Sequence, residues 1–154
     1  MRDTVRHMRG FTVVELVTVI VLLGLLTAVT APRFFDNLPF SERGYADELA
    51  GALRHAQRVA IASDCHVQFS ITPAGYSALQ RNTLNTCRTA SAWNRPVLRA
   101  DGRPLIGAPP NGVAATPVVL EFTNLGRVTI NPPPIVVGAF TLTVDPATGL
   151  VTVQ

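Results

Sequence analysis

The chain has 154 residues, with 13 Arg, no Lys, ten acidic residues and a formal net charge of +3. This length has room for one membrane segment and one small domain, and it excludes two sizeable cores. Three arginines (Arg2, Arg6 and Arg9) precede a long apolar run, and the remaining ten nearly balance nine acids. The positive charge is therefore weak evidence for nucleic-acid binding.

Residues 11–31 (FTVVELVTVIVLLGLLTAVTA) contain one charged residue, Glu15. As an α-helix, this run would measure about 31 Å, which matches the hydrocarbon core of a bilayer. The pattern predicts a leader at 1–10 and a transmembrane helix at 11–31, and the basic flank predicts a cytoplasmic N-terminus. A carboxylate in lipid is costly without a partner, so we predict a functional role for Glu15. The alternative is an ordinary anchor whose Glu15 reaches the membrane interface.

A second helical pattern follows a polar break at residues 36–41. Apolar residues recur three or four apart from position 45 to position 60, and charged residues occupy the other faces. This spacing is typical of an amphipathic helix. We predict that it starts near Ser41 and ends near Ser63, within a periplasmic helical extension at 32–64. Pro32 predicts a kink in the first helix, and one long helix bent near Pro39 is an alternative.

From residue 65 the apolar period becomes two, which predicts a β-rich head at 65–154. Strands are predicted at 65–71 and after a turn at 73–75, then on both sides of 124–126. The composition of residues 82–117 predicts a long irregular loop, and we expect Trp93 to anchor this loop on the core. The last residues predict a hairpin with its turn at 145–149. The predicted fold class is α+β, with a long N-terminal helix packed on an antiparallel sheet.

Two cysteines, Cys65 and Cys87, lie 22 residues apart. We predict a disulfide between them in an oxidising compartment, contributing about 3 kcal/mol. A zinc site would need His55 and His66 as further ligands and lacks a CxxC spacing, so we predict no metal and no cofactor. His7 is remote from both of these histidines in sequence. No nucleophile motif or Gly-rich phosphate loop is present, so we predict no catalytic residues and no enzyme activity.

Residues 10–16, GFTVVEL, followed by the apolar run, resemble the class III prepilin signal of type IV pilins and type II secretion pseudopilins. The resemblance implies cleavage by a prepilin peptidase between Gly10 and Phe11, and N-methylation of Phe11. Glu15 would be the family's assembly glutamate, paired with the new amino terminus of a neighbouring subunit. Pro32 would be its helix-loosening proline.

Residues 42–80 resemble the FimT/GspH group of minor pilins and pseudopilins, and more narrowly a minor pilin of the mannose-sensitive haemagglutinin (MSHA) pilus. This resemblance implies a structural subunit that joins or primes a pilus, held in the bacterial inner membrane with its head in the periplasm until assembly. The implied partners are other major and minor pilins or pseudopilins, the prepilin peptidase, the inner-membrane assembly platform and inner-membrane lipid.

Two alternatives stay open, a GspH-type pseudopilin of type II secretion and a DNA-binding FimT-like minor pilin. Resemblance to the DNA-binding minor pilins would imply a C-terminal tail that carries Arg. This chain has no Arg after Arg127. Phosphate contacts dominate DNA affinity, so nucleic acid is an unlikely partner. Arg95, Arg99 and Arg103, four residues apart, are the cations that a DNA site would need.

Overall fold

The structure is a computed structural model that describes residues 12–30, 38–81, 87 and 92–154. The chain divides into two units, Met1–Asn37 and Leu38–Gln154. The first unit contains helix α1 (Val13–Thr30). Within the described ranges, no helix is both long enough and apolar enough to cross a membrane.

The second unit begins with helix α2 (Leu38–Ser63), three residues earlier than the start predicted near Ser41. Pro39 lies in the first turn, where a missing N–H costs nothing because that donor has no partner within the helix. The helix ends where predicted, because Asp64 has a left-handed φ of 55° that stops the helical path. The amphipathic pattern is confirmed, since the buried side chains are Tyr45, Ala46, Leu49, Ala50, Ala52, Leu53, Ala56 and Ala60.

Two antiparallel sheets follow α2. The first contains β1 (Val67–Thr72), β2 (Gly75–Arg81), β3 (Trp93–Pro96), β4 (Ile106–Gly107) and β5 (Val118–Phe122). Its order is β3-β2-β1-β5, and β4 also pairs with β2. The second contains β6 (Ile135–Val137), β7 (Phe140–Val144) and β8 (Val151–Val153), in that order.

Helix α2 packs against strands of both sheets, so one core serves the whole unit. The alternation predicted for β1 is confirmed, since Val67, Phe69 and Ile71 are buried and face the core. Phe122 of β5 and Leu142 of β7 are fully buried beside them in the same cluster. The predicted α+β class is confirmed, with a helix packed on antiparallel sheet.

Residues 82–117 are less irregular than the sequence predicted, because β3 and β4 lie within them and both pair with β2. The prediction of a strand after 124–126 is wrong. In the structure this segment forms only an isolated bridge, between Val128 and Phe122. Pro132, Pro133 and Pro134 follow shortly afterwards, and they lack the N–H groups that a longer ladder needs. Strand β6 was not predicted.

The predicted C-terminal hairpin is confirmed. In its turn, Asp145 Oδ1 accepts hydrogen bonds from the Thr148 hydroxyl and the Thr148 N–H, both at 2.8 Å. The Thr148 hydroxyl, followed by the N–H, lowers the pKa of Asp145. The ionised Asp145 carboxylate therefore stabilises the folded state. Because its pKa is lower in the folded chain than in the unfolded chain, this contribution is present above the unfolded-state pKa and is lost as pH falls through the folded-state pKa.

Polar side chains on one stretch of α2 bind backbone carbonyl groups of strand β8 and of separate loops. Arg54 donates to Val151 O at 2.9 Å, and His55 Nε2 lies 2.9 Å from Leu98 O. The Gln57 side-chain amide donates to two carbonyls, at 2.9 and 2.8 Å, belonging to Gly126 and Thr148. The helix therefore fixes the turns at 123–127 and 145–149 against each other.

Replacement of Gly149 by Ala is expected to destabilise this unit by more than about 3 kcal/mol. Gly149 has a φ of +68°, and a Cβ there would lie 2.1 Å from Gly126 O. Gly102→Ala is the matched control, because Gly102 also has a positive φ (+78°) but has nothing within 4 Å of an added Cβ. The control is expected to lose only about 1 kcal/mol. Urea unfolding of residues 38–154 measures both, and equal losses would contradict the close packing of the two turns.

Candidate assembly site

Glu15 lies in the first turn of α1. Its backbone N–H donates to Thr12 Oγ1 at 3.2 Å, which makes Thr12 the N-cap of the helix. Leu16 N–H donates to Thr12 O at 3.1 Å and closes the first helical turn. Thr-x-x-Glu at 12–15 is the sequence signal of a capping box, and it was not among the predicted features. Glu15 therefore takes part in the cap of α1 through its backbone N–H, and the assembly role of its carboxylate stays a prediction.

Two threonine side chains of α1, at positions 18 and 27, are bonded within the helix. The Thr18 hydroxyl donates to Glu15 O at 2.8 Å, and the Thr27 hydroxyl lies 2.9 Å from both Leu23 O and Gly24 O. Eleven large apolar side chains between Val13 and Leu26 are 42–77% exposed, and they lie on all sides of the helix. A helix that is apolar all round is normally covered, by protein or by lipid. Glu15 is the only charged residue in its sequence.

The remaining predicted processing and assembly residues lie outside the described residues. These are Gly10 and Phe11 at the predicted cleavage point, and Pro32 at the predicted kink. Their roles stay predictions.

The predicted disulfide is confirmed, because Cys65 and Cys87 are bonded with an S–S distance of 2.02 Å. Both cysteines are partly buried. His66 N–H donates to Cys87 O at 3.2 Å, so the bridge and this backbone bond hold Cys87 beside the start of β1.

A cluster of polar side chains that the sequence did not predict lies beyond this bridge. His66 Nδ1 and Arg81 Nη2 lie 2.6 and 3.0 Å from the same carboxylate oxygen, Oε1 of Glu121. The Arg81 guanidinium carbon lies 4.5 Å from the centre of the Trp93 ring. Trp93 is partly exposed, so it packs on Arg81 and the prediction that it anchors the loop on the core is wrong. Register between β1, β2 and β5 brings these residues together, and no local spacing encodes that register.

A second polar cluster joins α2 to the sheet. The Tyr76 hydroxyl donates to Glu48 Oε1 at 2.7 Å and accepts from Arg99 Nη2 at 3.1 Å. Burial and then the bond to Glu48 raise the pKa of Tyr76 above its usual range. An open depression of about 290 Å³ lies here, and His55 also lines it.

The arginines that a DNA site would need do not act as one group. Arg99 also donates to Ile106 O, so its guanidinium closes the loop that precedes β4. Arg103 Nε lies 3.7 Å from Asp101 Oδ2. Arg95 is exposed on β3. Among the residues that the structure describes, no three His, Cys, Asp or Glu side chains form a group able to hold a metal ion.

Comparison with known proteins gives one sequence likeness and one structural likeness. A segment of 52 residues is 40% identical to the type IV narrow pilus major component PilA5 of Thermus thermophilus. The segment spans 34% of this chain and 45% of that protein. A third of this chain is therefore similar to a type IV pilus component. No family model matches the chain.

The structural likeness is to the type IV minor pilin FimU of Pseudomonas aeruginosa. The superposition covers 73% of this chain and 91% of FimU, with 14% sequence identity and a TM-score of 0.48.

Proposed function

We propose that this chain is a type IV pilin-like subunit, a minor pilin or pseudopilin that enters a filament through α1. The observation that carries the proposal is the chemistry of α1. It exposes apolar side chains on every side from Val13 to Leu26, and its one charge, Glu15, lies in its first turn. Apolar surface of this extent indicates a partner, and similar helices of neighbouring subunits or lipid would cover it. Likeness to a pilus component over 52 residues supports the same function.

The proposed assembly step requires cleavage between Gly10 and Phe11, followed by methylation of the Phe11 amino group. Cleavage creates an α-ammonium four residues before Glu15. A carboxylate surrounded by apolar helices needs a cation, and the ammonium of a neighbouring subunit supplies one. This pair would also fix the axial register of adjacent subunits, because at low dielectric every other register leaves both charges unpaired.

Before assembly, the proposed location is the bacterial inner membrane, with the N-terminus in the cytoplasm and residues 38–154 in the periplasm. The confirmed disulfide supports an oxidising compartment for this unit. The proposed partners are other pilins, the prepilin peptidase and the inner-membrane assembly platform. For the filament itself we propose an MSHA-like pilus, on the resemblance of residues 42–80.

Mass analysis of the N-terminus tests this proposal. In cells with a prepilin peptidase, the chain is expected to lose residues 1–10 and to gain one methyl group on Phe11. Gly10→Leu is expected to block cleavage because a side chain there obstructs the extended peptide in the protease. Gly24→Leu is the matched control, since nothing lies within 4 Å of a Cβ at Gly24 and it is remote from the cut. Retention of Met1 beside an active peptidase would contradict the proposed function.

A further inference from the structure

An opening in the sheet surface runs along the edge of β5 that faces away from β1. A hydrogen bond closes each end of it. Thr129 N–H donates to Glu121 O at 3.1 Å, and Thr116 N–H donates to Val136 O at 3.0 Å. Between these bonds no described residue pairs with this edge, because three successive prolines lie opposite it and have no N–H groups to donate. We name this opening the β5 gap.

The β5 gap leaves the backbone groups of Val119 without a partner. Arg81 N–H donates to His66 O, so even-numbered positions from 66 onward direct their backbone groups toward β2. The odd-numbered positions of β1 therefore bond to their register partners at 118, 120 and 122 of β5. Position 119 has the opposite direction, as Glu121 O shows by accepting from Thr129. Val119 N–H and C=O consequently point into the gap, and no described residue bonds to either group.

The walls of the β5 gap are mostly apolar. Its volume is about 290 Å³. Its apolar walls include Val128, Ile130, Pro132 and Pro133. Glu121 is the one charged residue among the described residues that line it, and Glu121 Oε1 already bonds to Arg81 at 3.0 Å. A cleft of about this size, with apolar walls and few polar groups, is typical of a small-molecule site.

The unpaired groups of Val119 select the ligand. In an extended residue the N–H and the C=O point to the same side, so they need an acceptor and a donor placed next to each other. A primary carboxamide has this arrangement, because its oxygen and one of its N–H bonds lie side by side. A charged ligand would lose its hydration without gaining a counter-ion, so the gap favours an uncharged group. The closed ends exclude an extended peptide strand and leave room for a single group the size of a side chain.

We propose that the β5 gap binds a primary carboxamide on a short aliphatic stem. The ligand oxygen accepts from Val119 N–H, one ligand N–H donates to Val119 O, and the stem packs on Ile130 and the prolines. The gap lies within Leu38–Gln154 and contains no residue of α1. The binding is therefore an activity separate from filament assembly, and it does not depend on Glu15.

Titration of isotope-labelled Leu38–Gln154 with butyramide, followed by nuclear magnetic resonance, tests this inference. The described hydrophobic core lies within this fragment, so the fragment is a suitable sample. Backbone amide resonances at 119, 120 and 130 are expected to shift and to saturate, with a Kd on the order of 10 mM for so small a ligand. N,N-dimethylbutyramide keeps the carbonyl oxygen but has no N–H to donate, and we expect it to bind about tenfold more weakly.

Val119→Pro removes the N–H that the ligand needs. Proline is tolerated at an edge position whose N–H points away from the sheet, so the variant is expected to fold. It is expected to bind butyramide about tenfold more weakly than the parent. Val119→Thr is the matched control, because it keeps the N–H and the branched shape, and its Kd is expected to equal that of the parent. Resonances at 120 and 130 report binding in all three proteins.

Ile130→Ser provides a second test that leaves the β5 backbone unchanged. Ile130 is 74% exposed, so its loss should leave urea unfolding unchanged while it removes the apolar wall that packs on the stem. We expect about threefold weaker binding. Leu150→Ser, at a side chain that is 60% exposed and does not line the gap, is the control and should bind like the parent.

Three outcomes overturn the inference. Equal Kd values for the parent and a folded Val119→Pro variant show that the ligand does not use this N–H. If Val119→Pro is unfolded, equal Kd values for Ile130→Ser and the parent show that the β5 gap is not the site. Shifts that rise linearly to about ten times the expected Kd show general solvation instead of a site. Each of these outcomes leaves cleavage after Gly10, and with it the proposed function, untouched.

Discussion

Glu15→Ala is expected to yield a protein that is cleaved and methylated but enters filaments about 100-fold less than the parent, or not at all. The reason is electrostatic, because the α-ammonium of the neighbouring subunit would then be buried without its counter-ion, and removing one member of a buried pair costs about 3–5 kcal/mol. Quantification of the chain in sheared filaments and in the membrane fraction measures this.

Glu15→Gln separates assembly from helix capping. Glutamine at the third helical position serves a capping box nearly as well as glutamate, and it keeps the size of the side chain. If the carboxylate pairs with an ammonium, Glu15→Gln is expected to fail in assembly like Glu15→Ala. If the Glu15→Gln variant enters filaments at the level of the parent, the role of Glu15 is to cap α1 with Thr12, and the proposed charge pair is contradicted. Asp101→Asn removes an exposed acid and is the control for loss of charge alone.

Loss of the disulfide is expected to destabilise Leu38–Gln154 by about 3 kcal/mol, because the bridge closes a loop of some twenty residues and limits the unfolded chain. The double variant Cys65→Ser/Cys87→Ser and the reduced parent should show the same midpoint shift in urea. This unit is compact by itself, so the fragment is suitable for the measurement.

Two comparisons control this experiment. Reductant is expected to leave the double variant unaffected, whereas it should lower the midpoint of the parent. The cluster of His66, Arg81 and Glu121 should remain, because register between β1, β2 and β5 holds it independently of the bridge. A loss below about 1 kcal/mol in both samples would contradict a stabilising role for the bridge.

Local signals predicted the parts of the fold that depend on local chemistry. Val67, Phe69 and Ile71 alternate, so β1 and its buried face followed from the period of two. Asp145 and Thr148 form a turn from neighbouring residues alone. The start of α2 was missed by three residues because residues 36–41 were interpreted as a polar break, although the first helical turn accepts Pro39.

The sequence by itself determined the amphipathic helix, the first strands, the C-terminal hairpin and the disulfide pairing, since each depends on a short-range period, a turn residue or the presence of just two cysteines. Only the tertiary structure decided that Gln57 bonds to both Gly126 and Thr148, and that Ile61 lies against Gly126. The physical reason is distance along the chain. Contacts between residues 60 to 90 positions apart depend on how helix and sheets share one core, and no local pattern contains that information.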